Sequence, residues 1–174
     1  MITKSDDLCL RYYRLGDEGE IYQYTSDIES SKFLARKPHE SALQTKDMLL
    51  NLSAPSSFGQ LGKCIWLITS VTNQQAMGYL TSIKKDDSVE LHIGVLKTHS
   101  GKGVATSAIN LASKYLFEKL RFREIVSFTD VEHLAAQAAF KKSGFSVVKE
   151  IKEFYMAPQQ PGKKRDVLWL RFRA

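Results

Sequence analysis

The chain has 174 residues, a formal net charge of +6 and a hydrophobic fraction of 43%. These values predict one globular domain spanning residues 1–174 and exclude a disordered or fibrous chain. No apolar run is long enough to span a membrane and the N-terminus shows no secretory apolar segment, so neither a membrane partner nor export is expected.

The charge and the cysteines limit the possible partners. A positive chain favours an anionic partner, such as a polyanionic cofactor or an acidic protein surface. A basic nucleic-acid-binding module is a further alternative, but it is disfavoured because aromatic residues are not interleaved with the charges. Cys9 and Cys64 lack metal-ligand spacing, so no metal is expected. We interpret both as buried reduced thiols of a cytoplasmic protein, with a disulfide between them as the minor alternative.

The first half of the chain alternates short β-prone and helical segments. Apolar runs predict strands at residues 8–15, 64–71, 76–83 and 89–96. Asp17 and Ser41 are candidate caps of two helices, the second with apolar positions at Leu43, Met48, Leu49 and Leu52. Residues 26–38 and 54–62 are expected to be irregular. Short polar turns between the last three strands predict an antiparallel meander.

The second half begins with a polar loop, residues 98–103, that contains Gly101 and Gly103. Helical spacing starts at Val104 and continues through Leu116. A short strand at 125–128, a helix at 134–142 ended by Gly144, and strands at 145–154 and 167–172 complete the prediction. The helix after the loop must connect two parallel strands. The expected fold is therefore α+β, with a mixed, mostly antiparallel sheet of six or seven strands flanked by helices.

The order strand, glycine loop and helix N-terminus predicts an anion site. Loop amides and the first unpaired N–H groups of a helix point toward one place, and the helix dipole favours negative charge there. A coincidental Gly-x-Gly turn is the alternative, because such loops are common.

Several segments together resemble the GNAT superfamily of N-acetyltransferases, and within it the RimJ/RimL-like branch. The cofactor motif of that branch, Q/R-x-x-G-x-G/A, is similar to residues 98–103, with Thr98 in the first position. The segment Lys142-Ser143-Gly144-Phe145 is similar to the family's K-x-G-F, and residues 162–167 to its G-x-x-R-D-V. The resemblance implies the GNAT fold, acetyl-CoA as donor and an amine as acceptor.

The resemblance also implies cofactor contacts. The loop amides of Ser100, Gly101, Lys102, Gly103, Val104 and Ala105 would bind the pyrophosphate of coenzyme A. The backbone of Val95 and Leu96 would bind the pantetheine arm. His133 stands where the family has an Asn near the cofactor. Phe140 stands where many members have a Tyr that protonates the thiolate; a phenyl ring cannot do so, and Phe140 is expected to pack on the pantetheine arm or in the core.

Strand alternation predicts the candidate base. Glu90 and His92 fall on one face of the strand at 89–96, just before the cofactor loop. Either side chain could accept the amine proton, or Glu90 could bind substrate and His92 could be a polar residue on an open face.

The acceptor is an amine of unspecified identity: a protein N-terminus, a small amine or an amino sugar. The resemblance places a substrate-binding loop at residues 33–39, with Phe33, Arg36 and His39 as candidate contacts. The alternative function is a non-catalytic coenzyme A or nucleotide sensor. A monomer or a homodimer is expected.

Overall fold

The computed structural model describes residues 1–173. The strands are β1 (Thr3–Lys4), β2 (Leu8–Arg11), β3 (Lys63–Ser70), β4 (Ala76–Lys85), β5 (Ser88–Val95), β6 (Glu124–Asp130), β7 (Ser146–Tyr155) and β8 (Arg165–Arg173). The helices are α1 (Glu18–Thr25), α2 (Ile28–Ser31), α3 (Ala42–Leu52), α4 (Ser57–Leu61), α5 (Val104–Glu118) and α6 (Leu134–Lys142).

The strands form one sheet of eight strands in the order β1-β2-β3-β4-β5-β6-β8-β7. Every neighbouring pair is antiparallel except β5 and β6, which are parallel as the crossover helix α5 requires. Their pairing covers only Ser88 to Glu90 on β5 and Glu124 to Val126 on β6. Beyond this point the two strands diverge and leave a gap in the sheet. The expected mixed sheet with a single parallel join is confirmed.

Each face of the sheet carries its own apolar cluster. Helices α5 and α6 pack on one face through residues such as Ala108, Leu116 and Phe140. Helices α1 and α3 pack on the other, where Ile21, Tyr24 and Leu49 meet β3 and β4. We call these the α5 face and the α1 face. Trp66 is 2% exposed in the α5-face cluster, as its prediction as a core residue requires.

Several local predictions were wrong. The first predicted strand ends at Arg11, and beyond it the Tyr13 amide donates to the Ser53 hydroxyl instead of a neighbouring strand. The Arg11 guanidinium binds the Asp17 carboxylate with two N–O distances of 2.7 Å. Because its carboxylate is bound by Arg11, Asp17 makes no capping hydrogen bond to α1. The segments expected to be irregular contain α2 and α4, and Leu43 is exposed instead of buried. The two-residue strand β1 brings the sheet to eight strands, one more than the upper expectation.

Other local predictions are confirmed. The Ser41 side chain accepts a hydrogen bond from the Gln44 amide and caps α3. Helix α6 has the predicted bounds, and Gly144 after it adopts φ +88°, a left-handed conformation that favours glycine. Cys9 and Cys64 are buried and unpaired with each other. None of the helices among residues 1–173 combines the length and apolarity needed to cross a membrane.

Candidate active site

The gap between β5 and β6 exposes the backbone of β5. The Leu96 amide donates to the Met77 carbonyl of β4 at 2.8 Å, and the Gly94 carbonyl points at Gly78 of the same strand. Backbone groups alternate in direction along a strand. The N–H and C=O groups of Val95 therefore point away from β4 and into the gap.

The glycine loop lies at the end of this gap. Gly101 and Gly103 adopt φ values of +74° and +79°, the left-handed region in which glycine is strongly preferred. A Cβ added to either glycine would meet nothing within 4 Å, so the space in front of the loop is open. The first α5 amide with a helical partner is that of Ser107, which donates to Gly103 at 3.0 Å. The amides of residues 101–106 are free to bind an anion, whereas the predicted contact through the Ser100 amide is wrong, because that amide donates to the Lys97 carbonyl at 3.2 Å.

A cavity of about 510 Å³ connects the loop, the gap and α6. Its wall includes eight of the residues predicted from the sequence: Phe33, Val95, Ser100, Gly101, Gly103, Val104, Ala105 and His133. Charged side chains of both signs also line it: Lys97, His99 and Lys142 are basic, and Asp27 and Glu29 are acidic. On the α6 side the wall consists of four small residues, Ala135, Ala136, Ala138 and Ala139.

Three predicted cofactor contacts lie outside the cavity wall. The Leu96 side chain is 4% exposed and lies in the α1-face cluster, and its backbone amide already donates to the Met77 carbonyl. Phe140 is 2% exposed and packs against Phe145 in the core, with ring centroids 4.9 Å apart. Lys102 is exposed at the loop tip and is not part of the wall.

His133 occupies the N-terminus of α6. Its Nδ1 accepts a hydrogen bond from the Ala136 amide at 3.3 Å, which leaves the proton on Nε2. Burial lowers the pKa of this imidazole, so its neutral form is favoured. The ring packs against Phe33 at 4.8 Å. His133 thus presents a neutral ring and one N–H donor at the cavity.

Glu90 and His92 lie together on the α1 face, adjacent to the cavity but not in its wall. The Glu90 Oε1 atom is 2.8 Å from His92 Nε2, and Lys85 Nζ lies 3.6 Å from Glu90 Oε2. The hydrogen bond from His92 lowers the pKa of Glu90 and outweighs the opposing effect of burial. An ionised carboxylate only accepts hydrogen bonds, so Nε2 carries a proton, and in the neutral ring Nδ1 is the acceptor atom.

The predicted substrate contacts separate in the structure. Phe33 reaches the cavity, whereas the Arg36 guanidinium donates to the backbone oxygens of Thr25 and Lys37. His39 is buried, and its Nδ1 lies 2.8 Å from the Thr45 hydroxyl between α1 and α3. Arg36 and His39 hold the loop in place and lie outside the cavity wall.

Two features near the cavity were not predicted from the sequence. Tyr24 lines the cavity and lies so close to β5 that a Cβ on Gly94 would be 2.4 Å from its ring. At the end of β6, Asp130 binds Arg165 through two hydrogen bonds of 2.8 Å and also accepts from the Tyr155 hydroxyl at 2.9 Å. The position of Asp130 at the carboxyl end of a parallel strand was the available signal, since ligand sites gather there.

Comparison with known proteins identifies this architecture. A family model described as "Acetyltransferase (GNAT) domain" matches residues 7–146. The chain belongs to the GNAT acetyltransferase family. It is an N-acetyltransferase, a class of enzyme that transfers an acetyl group to amines. A curated relative from Bacillus licheniformis, "Uncharacterized N-acetyltransferase p20", is 25% identical over 147 residues, which are 80% of this chain and 82% of the relative.

Solved structures share the GNAT fold. An acetyltransferase of the GNAT family from Bacillus anthracis superimposes with a TM-score of 0.86 at 16% identity, over 98% of this chain and 97% of that one. Spermidine N-acetyltransferase from Vibrio cholerae, solved in complex with CoA and spermine, has a TM-score of 0.79 at 20% identity, over 97% of this chain and 96% of that one.

The residues of this GNAT domain fit coenzyme A. Two left-handed glycines face open space, so backbone amides can approach a pyrophosphate closely. Lys97, His99 and Lys142 supply positive charge around it, and the alanines of α6 leave room for a narrow pantetheine arm. Among residues 1–173, no group of three or more His, Cys, Asp or Glu side chains is arranged to hold a metal ion.

Proposed function

We propose that this N-acetyltransferase catalyses direct attack of a primary amine on acetyl-CoA, the acceptor being a protein N-terminus, a small amine or an amino sugar. One observation supports this most strongly. The gap between β5 and β6 has the glycine loop and the α5 N-terminus at its open end, while the Glu90–His92 pair lies on the same strand β5, beside it. This arrangement supports a reaction in which donor and acceptor groups act at one opening in the sheet.

The donor side works through the main chain. Acetyl-CoA supplies an activated thioester. The amides of the glycine loop and of the first turn of α5 would hold its pyrophosphate, with Lys142 adding charge. The Val95 N–H is directed into the gap and is the donor available to polarise the thioester carbonyl. His133 Nε2–H is a further donor on the α6 side.

The acceptor side works through the Glu90–His92 pair. The lowered pKa of Glu90 makes its carboxylate a weak base at neutral pH. Glu90 instead fixes the tautomer of His92 and stabilises its positive charge after protonation, so His92 Nδ1 is the atom that takes the amine proton. His92 is the catalytic residue of this pair and Glu90 is a positioning residue. Phe140 cannot protonate the departing thiolate, and free coenzyme A is acidic enough to leave without a dedicated acid.

Branch and location are proposals of the same kind. The RimJ/RimL-like branch is supported by the motif at residues 98–103 and by the segment at 142–145. A cytoplasmic location is supported by the free thiols. Cys9 and Cys64 are buried, and burial raises the pKa of Cys64 to about 11, which keeps this thiol protonated and unreactive.

Two measurements test the proposed function. Isothermal titration calorimetry should detect acetyl-CoA binding in the micromolar range. Colorimetric detection of released thiol should then report turnover when primary amines are added to the complex. Absence of binding at high micromolar acetyl-CoA would overturn the donor site. Binding without thiol release from any amine would favour the alternative, a coenzyme A sensor.

A further inference from the structure

We propose that the rings of Phe128, Phe154 and Trp169 bind the body of the amine acceptor, and that this body is an aromatic group carrying a single ammonium. The inference rests on the proposed function and adds the substrate class. We call these three side chains the aromatic cluster. They lie outside the apolar cluster that α1 and α3 form with β3 and β4 on the same sheet face.

The aromatic cluster lies on the α1 face of β6, β8 and β7. Phe128 and Trp169 are directly opposite each other on paired strands and stack with an interplanar angle of 14°, their centroids 6.2 Å apart. Phe154 meets Phe128 edge to face at 5.0 Å and Trp169 at 6.3 Å. Phe154 is 41% exposed, so its ring is available to a ligand. Such a cluster offers faces and edges to another aromatic ring.

A distortion of β7 puts Phe154 in this position. Ile151 pairs with Val167 and Tyr155 with Arg165, so three residues of β7 oppose Asp166 alone. Within this bulge Glu153 adopts φ +49°, an uncommon conformation for a residue other than glycine. The Asp166 carboxylate holds the bulge by accepting from the Glu153 amide and from Lys152 Nζ, both at 2.9 Å. A strained bulge that holds a large apolar ring in the open is expected at a binding site.

The aromatic cluster adjoins the proposed base. The Phe128 ring lies 4.8 Å from the His92 ring, centroid to centroid, in an edge-to-face arrangement. An acceptor whose ring rests on Phe128 and Phe154 therefore has its amine within a short chain of His92. The Glu90 carboxylate and the ring faces both attract an ammonium group before it is deprotonated.

Charges on this face disfavour a polycation. The carboxylates that β5 and β6 direct to it are Glu90, Glu124 and Asp130, and each is already bound by a cationic side chain. The loop that crosses toward the β7–β8 turn carries three positive residues, Lys32, Arg36 and Lys37, whereas the acidic Asp27 and Glu29 that precede it line the cavity. A second ammonium group held beside the aromatic cluster, as in the spermidine that the Vibrio cholerae enzyme is named for, would meet the positive charge of this loop. One ammonium on an aromatic body matches the surface better.

Steady-state kinetics at saturating acetyl-CoA test this substrate class. We expect kcat/KM for 2-phenylethylamine to exceed that for ethylamine and for spermidine at least tenfold. Phe154→Ala should raise the KM for 2-phenylethylamine about tenfold and leave the KM for acetyl-CoA unchanged. Val147→Ala, which removes an exposed side chain from the same strand outside the cluster, is the matched control and should change neither constant. Equal kcat/KM for the three amines, or an unchanged KM in Phe154→Ala, would overturn the inference.

A binding measurement separates this inference from the proposed function. 2-Phenylethylamine should change the fluorescence of Trp169 in the absence of any donor, and Trp169→Phe should abolish the change because Trp66 is buried in the core. This response without acetyl transfer would contradict the proposed function while supporting the aromatic site. If Phe154→Ala instead dissociates a dimer in analytical ultracentrifugation and leaves the fluorescence response intact, the cluster is a contact between copies and the inference is wrong.

Discussion

The two sides of the gap are built in different ways. The proposed donor side comes mainly from one continuous segment, residues 95–106, to which α6 adds His133 and Lys142. It acts mainly through backbone amides whose direction is set by two left-handed glycines and a helix N-terminus. The acceptor side comes from side chains on β5, β6, β7 and β8, which are far apart in sequence. A backbone site tolerates changes in most side chains but not in backbone conformation. A side-chain site can change its ligand while the fold stays the same.

The largest effect should follow removal of the base from the acceptor side. His92→Gln should lower kcat by about two to three orders of magnitude, the usual contribution of a general base, while calorimetry shows unchanged acetyl-CoA affinity. Glu90→Gln should cost less, about tenfold, because a glutamine oxygen still accepts from His92 Nε2. His99→Gln, a histidine substitution on the donor side, is the matched comparison and should alter the KM for acetyl-CoA with little effect on kcat. A fully active His92→Gln enzyme would remove the imidazole from the mechanism.

The next largest effect concerns the buried ion pair between Asp130 and Arg165, next to the acceptor side. Burial alone would raise the pKa of Asp130, but hydrogen bonds from Arg165, from the Glu132 amide and from Tyr155 lower it. Arg165→Met would leave this carboxylate buried without its cation and should reduce the free energy of unfolding by about 3 kcal/mol in urea denaturation. Because the folded pKa of Asp130 is lowered, its contribution is present above about pH 4 and is lost as pH falls further. The loss of stability in Arg165→Met should therefore shrink in acid, and a pH-independent difference would contradict this account.

A substitution in the glycine loop tests the donor side alone. Gly101→Val places a β-branched residue at φ +74° and a side chain in the space proposed for the pyrophosphate. It should weaken acetyl-CoA binding at least tenfold in calorimetry, with kcat changed less. Gly62→Ala is the control for backbone strain, since Gly62 has φ +63° and lies at the end of α4. Equal acetyl-CoA affinities in the two variants would argue against this loop as the pyrophosphate site.

The smallest expected effect distinguishes two lysines of the donor side. Lys142→Ala removes a charge from the cavity wall and should weaken acetyl-CoA binding a few-fold, more at low ionic strength than at high. Lys102 lies within the loop motif but outside the cavity wall, so Lys102→Ala should change the affinity for acetyl-CoA less than twofold. The reverse order of effects would mean that the loop tip closes over the ligand.

The contrast between the two sides also explains what the sequence predicted. Gly101, Gly103 and Val104 were predicted because a strand, a glycine loop and a helix are consecutive, and their local pattern dictates the backbone. Glu90 and His92 were predicted to act together because side chains two residues apart on a strand share a face. Phe128, Phe154 and Trp169 were not predicted, because their contact depends on strand order and on a bulge in β7 that leaves no local signal in the sequence. His39 was placed near substrate by its position in the loop, yet its ring turns to Thr45.

If main-chain amides bind acetyl-CoA, amide hydrogen exchange measured by NMR should show it most directly. Addition of coenzyme A should slow exchange, or shift the resonances, of Val95 and of the amides at residues 101–106. The amides of Phe128, Phe154 and Trp169 should be unaffected until an acceptor is added. Perturbation confined to the aromatic cluster, or absent from the loop and from Val95, would contradict the account.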